Sequence, residues 1–210
     1  MTTISLDSGS VGVEFAVARA NAIQAYATLE QSLCLALSYL AGTDREVAGI
    51  IFFKVNSARS RLEIIDKLYR RKHRRSYALF WNSVIKEAGS LDQRRNSIIH
   101  WNVSSHIHLG ESGQQTTKLE LIPANIWAFN EGSEKIGVPQ LQEFAGKCDV
   151  YSRALNIFIF MLSGDAPHSA ERDATWLPIF QQPLTYPLPE NHPLGATPSK
   201  PETPPQPSPE

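Results

Sequence analysis

Cysteine is scarce: Cys34 and Cys148 are the only two in 210 residues, and each falls inside an apolar helical pattern. Such a pair reads as two buried, reduced thiols, which excludes the disulfide-stapled class of small secreted domains. No apolar run approaches the ~20 residues that span a bilayer, and Met1–Asp7 lacks the charged and apolar segments of a signal peptide. A soluble, cytoplasmic protein with no membrane partner is the expectation. Proline is almost missing from the first 164 residues, since 12 of the 14 prolines fall in residues 165–210. Neither a Gly-rich phosphate loop nor a G-x-S-x-G elbow occurs, so P-loop and serine-nucleophile chemistry have no support.

Net charge is also near zero, formally −1, which removes bulk attraction to nucleic acid as an argument. The average hides an asymmetry. Lys54 to Arg95 holds 12 Lys/Arg against 4 Asp/Glu, a net of +8, and the remainder holds 8 against 17, a net of −9. A basic band of this kind concentrates phosphates locally. Its plainer reading is a solvated helix face whose cations suit the negative end of a helix dipole.

The pattern predicts an all-α protein with one hairpin. Residues 1–10 are polar and expected to be flexible. Helix A is expected over Val11–Ala41, buried through Val13, Val17, Ala20, Ile23, Ala27, Leu33, Leu37 and Leu40, with Gly42 at its C′ position. Thr43 and Glu46 form a capping-box pattern for helix B, expected from Asp44 to Arg71 and buried through Val47, Ile50, Ile51, Ala58, Leu62, Ile65 and Leu68. Helix C starts near Tyr77 and carries Phe80, Trp81, Val84, Ile85 and Ala88. Gly89-Ser90 predicts a break, leaving a short separate helix that ends near His100. Alternation over residues 103–129 around Gly110–Gly113 predicts a β-hairpin. Helix D is expected over Pro139–Leu162, with Pro139 opening it and Leu141, Phe144, Cys148, Tyr151, Leu155, Phe158 and Ile159 facing inward. The resulting expectation is an up-and-down bundle over residues 11–164, of four main helices and a short one, with the hairpin inserted before the last. Residues 165–197 form an irregular, Pro-containing extension, partly docked through Trp176–Phe180. Residues 198–210 form a Pro/Ser/Glu/Gln tail expected to be disordered.

The stretch on which function turns is Arg95-Asn96-Ser97-Ile98-Ile99-His100. It gathers a guanidinium, an amide and an imidazole within six residues. Asn96 and His100 are i,i+4 and share a helix face, whereas Arg95 and His100 lie about 140° apart on a regular helix. One straight helix therefore does not easily point both groups at one atom. The bland reading pairs Arg95 with Asp92 or Glu87 and stacks His100 on Trp101. His106 and His108, i,i+2 on the expected strand with His100 close in sequence, share one strand face. They lack a fixed acidic partner, and an ordinary polar face is the better reading than a metal site.

An arginine followed by a polar residue and then a histidine near the end of a helix, within a small helical domain, resembles the Arg-x4-6-His motif of the HEPN superfamily. Many members of that family are metal-independent ribonucleases. The resemblance implies that two protomers set their motifs face to face across a groove, with Arg95 and His100 catalytic and Asn96 the polar residue beside the arginine. It implies RNA as substrate, a homodimer, and no cofactor. Arg70, Arg71, Lys72, Arg74, Arg75 and Arg94 are then the expected RNA-binding cations. Use in toxin–antitoxin or anti-phage defence, with an antitoxin or other regulatory protein as partner, follows from the same resemblance. Where toxins of this family paired with a nucleotidyltransferase carry a tyrosine two places after the histidine, this chain has Asn102, which puts that mode of regulation in doubt. Inactive members imply the alternative, a non-catalytic helical module that binds RNA or a partner protein.

Overall fold

The computed structural model describes residues 8–109, 115–124, 134–164 and 169–195. Among them are six helices and one two-stranded antiparallel hairpin, so the protein is mostly helical. The expected turn at Gly110–Gly113, the end of the expected hairpin at 125–129 and the 198–210 tail lie outside the described residues. No described helix is long and apolar enough to cross a membrane.

Helix α1 (Ser8–Ala41) is the spine. It packs along α5 (Val138–Ser163) and also meets α2 (Arg45–Lys54), α3 (Ala58–His73) and α4 (Ala78–His100). Its buried face is Phe15, Ala18, Ala22, Tyr26, Leu29, Leu33 and Leu37. Leu33, Leu37 and Leu40 are inside as expected, but the stripe expected through Val13, Val17, Ala20 and Ile23 faces out, with Val13 64% exposed. Two apolar lines run along this alanine-rich helix, and packing selects the one carrying Phe15 and Tyr26, the larger rings. Gly42 does end α1 in the left-handed region, at φ +67°.

The single helix expected over Asp44–Arg71 is two. Asp44, rather than Thr43, caps α2, accepting from the Val47 N–H at 2.7 Å. Val55 closes that helix and Ser57 caps α3, accepting from the Ser60 N–H. Asn56 and Ser57 interrupt the helix because short polar side chains offer the backbone a competing partner. The consequence falls on α2: Val47, Ile50 and Ile51, expected inside, are exposed.

Helix α4 is the opposite case. No break occurs at Gly89-Ser90, and Ser90 caps nothing. Gly89 lacks a side chain where Leu62 of α3 approaches, its Cδ1 3.8 Å from a Cβ there. Flanking Ala88 and Leu91 are buried. Burial of these neighbours outweighs the ~1 kcal/mol that glycine costs within a helix. The motif thus ends a continuous helix.

The hairpin pairs β1 (Asn102–Leu109) with β2 (Gln115–Ile122), Ser105 opposite Leu119. A further helix, α6 (Ala170–Phe180), lies where an irregular extension was expected. Ser169 caps it, and Phe180 enters the aromatic core 4.8 Å from Phe80 and 4.9 Å from Phe158. Cys34 and Cys148 are buried free thiols, and burial pushes the Cys148 thiol up to about 12.

Candidate functional site

Helix α4 delivers its last two turns against the middle of α1. Arg95 is half-buried, with its guanidinium 5.6 Å from the centre of the Tyr26 ring. Its Nη1 donates to the Asn96 Oδ1 at 3.1 Å. Asn96 therefore braces the arginine rather than the His100 ring. Tyr26 in turn donates its hydroxyl to the Asp92 Oδ1 at 2.8 Å. Burial, reinforced by that hydrogen bond to a carboxylate, pushes the phenol far above its ordinary range, so Tyr26 serves as a neutral donor and a platform. The bland partners of Arg95 are engaged elsewhere: Asp92 by Tyr26, and Glu87 by Lys147 at 3.1 Å.

His100 is the last residue of α4 and is exposed. No hydrogen bond or ring contact holds it among the described residues, and it is not stacked on Trp101. The turn beneath it is held by a residue that sequence reasoning missed. Arg19 of α1 donates from Nε to the Ile98 carbonyl oxygen and from Nη2 to that of Ile99, both at 3.0 Å. The last carbonyls of a helix lack intrahelical partners, and a guanidinium fork satisfies two at once. The available signal was an isolated arginine among the alanines and valines of α1.

Because α4 is continuous, Arg95 and His100 stand about 140° apart and ~7.5 Å along its axis. One chain presents the arginine against α1 and the histidine to solvent.

The expected RNA-binding cations do not surround this site. Arg94 pairs with Glu134 at 2.5 Å. Arg70 pairs with Asp66 at 2.8 Å and donates to Asn82. Lys72 donates to the Tyr39 carbonyl at 2.7 Å and lies 3.7 Å from the centre of that ring. Arg71, Arg74 and Arg75 are exposed and carry no ion pair among the described residues. All but Arg94 lie toward the junction of α3 and α4, roughly 20 Å or more from Arg95 along α4, Arg70 being level with Asn82.

On the hairpin, His106 Nε2 is 3.9 Å from the buried Glu120, but Lys118 at 2.7 Å and Lys135 at 4.0 Å already surround that carboxylate. The described residues contain no cluster of three metal-ligating side chains.

Comparison with family models, with curated proteins and with solved structures gives no match for this chain.

Proposed function

We propose that the protein is a HEPN-type, metal-independent endoribonuclease with the up-and-down helical arrangement of that family, acting as a homodimer whose motifs meet across a groove. The observation that carries this reading is the disposition of Arg95 and His100 on one unbroken helix. A phosphate seated on the Arg95 of one chain is better reached by the exposed His100 of another than by the histidine 140° around the same helix. Support also comes from α1, where Val13, Val17 and Ile23 are exposed on the helix that braces the motif. Val103, three residues past His100, is exposed as well. Apolar surface of this sort is common at interfaces.

The chemistry needs no metal. The His100 imidazole takes the proton of an RNA 2′-hydroxyl, the 2′-oxygen bonds to the adjacent phosphorus, and the bond to the 5′-oxygen breaks. The proton goes to that leaving oxygen, giving a 2′,3′-cyclic phosphate and a 5′-hydroxyl. Arg95, placed beside the Tyr26 ring and aligned by Asn96, offers its remaining N–H groups to the charge growing on the phosphate oxygens. Such an activity suits a toxin–antitoxin or anti-phage role under an antitoxin or other regulatory partner. The test is incubation of the purified protein with RNA in EDTA. Cyclic-phosphate ends are expected, and 3′-hydroxyl ends or strict magnesium dependence would overturn the mechanism.

One observation favours a second reading, a non-catalytic module binding RNA or a partner protein. Arg71, Arg74 and Arg75, which carry no ion pair among the described residues, are at the far end of α4 from the motif. RNA binding that survives loss of Arg95 and His100, with no cleavage, would select it.

A further inference from the structure

Helix α2 turns an apolar face outward that none of the described residues covers. Its inward residues are Ala48 and Phe52. Ile50 is 65% exposed, Phe53 56%, Ile51 45% and Val47 41%. Four large apolar side chains exposed on a ten-residue helix far exceed the scattered singles expected of a protein surface. Phe53 also lines a groove of about 350 Å³ between α1 and α2, whose wall includes Leu35, Gly49 and Asn156. The Asn156 Oδ1 is buried there without a hydrogen-bond partner among the described residues.

The order of residues on this face identifies its occupant. Taking Ile50 as centre, Val47 and Phe53 lie three residues to either side, and Glu46 and Lys54 four to either side. At 100° per residue, Glu46 and Lys54 flank Ile50 by about 40° in opposite senses, and Val47 and Phe53 by about 60°. A two-fold axis through Ile50 that sets a second α2 antiparallel to the first brings the Glu46 end of each helix to the Lys54 end of the other. An isologous interface requires this property: if one residue meets another, the second also meets the first. Glu46 and Lys54 are both exposed and carry no ion pair among the described residues. An acid at the start and a base at the end of a helix also suit its dipole, but the dipole does not account for the apolar residues between them.

We infer that the outward face of α2 is a self-complementary interface, on which a second copy of this chain docks antiparallel with Ile50 on the two-fold axis. The interface is independent of the nuclease reading, since α2 carries no motif residue. Its apolar side chains supply the attraction and the charges fix the direction of pairing. A small patch of this kind supports a dissociation constant on the order of micromolar.

The test uses the full chain and a cross-link at the axis. Cys34 and Cys148 are buried and are the only native cysteines, so Ile50→Cys introduces the one exposed thiol. Mild oxidation should convert this variant to a disulfide-linked dimer, because residues on the axis face their own copies. Adding Glu46→Lys should slow cross-linking about five- to tenfold by placing lysine against lysine, and Lys54→Glu should do the same with acids. The double exchange Glu46→Lys with Lys54→Glu should restore the rate to within about twofold. In sedimentation runs across a concentration series, Ile50→Asp should abolish the α2-dependent association while leaving the helical circular dichroism unchanged. An Ile50→Cys protein that stays monomeric under oxidation would overturn the inference. Single exchanges without effect, or a double exchange no better than the singles, would overturn the antiparallel pairing. Cleavage of RNA, measured separately, bears on the motif and not on this interface.

Discussion

Arg19 and Ile98 are joined across 79 residues of sequence: the arginine Nε donates to the isoleucine carbonyl oxygen at 3.0 Å, and Nη2 reaches the next carbonyl, of Ile99. The end of the motif helix is therefore anchored to the spine of the fold, and the position of His100 depends on a side chain far outside the motif. Arg19→Met should leave both carbonyls without that partner and cost about 1–3 kcal/mol. The corresponding fall in melting temperature is several degrees for a domain of this size. Arg19→Lys keeps the charge but loses the fork and should fall between. Equal melting temperatures for all three proteins would show that water replaces the guanidinium at no cost.

His100→Ala should abolish cleavage without a measurable change in stability, because the imidazole is exposed and has no hydrogen bond among the described residues. Arg95→Ala should also abolish it, with a modest loss of stability from the contact with Tyr26. Mixing the two inactive proteins discriminates further. If each site takes its arginine from one chain and its histidine from the other, one site of a mixed dimer is intact, and subunit exchange restores part of the activity. No recovery despite proven exchange would mean that one chain supplies both groups.

The basic turn should act in binding rather than in chemistry. Reversing Arg71, Arg74 and Arg75 to glutamate leaves the Arg70–Asp66 and Lys72–Tyr39 contacts in place. It should reduce the slope of log affinity for single-stranded RNA against log salt by about 2, at roughly 0.7 per phosphate contact. An unchanged slope would leave these arginines as solvated helix-end cations.

Stability should depend on pH through His73. Its ring stacks 5.7 Å from that of Tyr39, with Nε2 3.2 Å from the Tyr39 hydroxyl. That hydroxyl donates to the Leu162 carbonyl, so the Nε2–H is the donor toward Tyr39. Burial, followed by the charge of Lys72, lowers the imidazole from its ordinary value of 6.5. The unfolded chain then binds the proton more readily than the folded one. The contribution of His73 is fully present above about 6.5 and is lost as pH falls through the lower folded value. Denaturant titrations from pH 7.5 to 5 should show stability falling with acid in the wild type and falling less in His73→Gln. Parallel curves would assign the acid sensitivity elsewhere.

The sequence by itself determined what local chemistry controls. Helical periodicity placed α1, α5 and the first half of α4, Gly42 marked the end of α1, and alternation placed the hairpin, because these depend on spacing and on backbone preferences of single residues. The composition of the motif was equally plain, as was its end at His100. Tertiary structure decided which of two apolar faces of α1 was buried, since each was regular and only the packing partners distinguish them. It joined helix across Gly89-Ser90, where burial of Ala88 and Leu91 outweighs a weak residue, and divided helix at Asn56-Ser57, where polar side chains capture the backbone. It formed α6 where prolines had argued for irregular chain, because Phe180 gains contacts with Phe80 and Phe158 that only the folded chain provides. The same global packing brought Tyr26 beneath Arg95 and Arg19 to the end of α4, contacts that no spacing within the motif encodes.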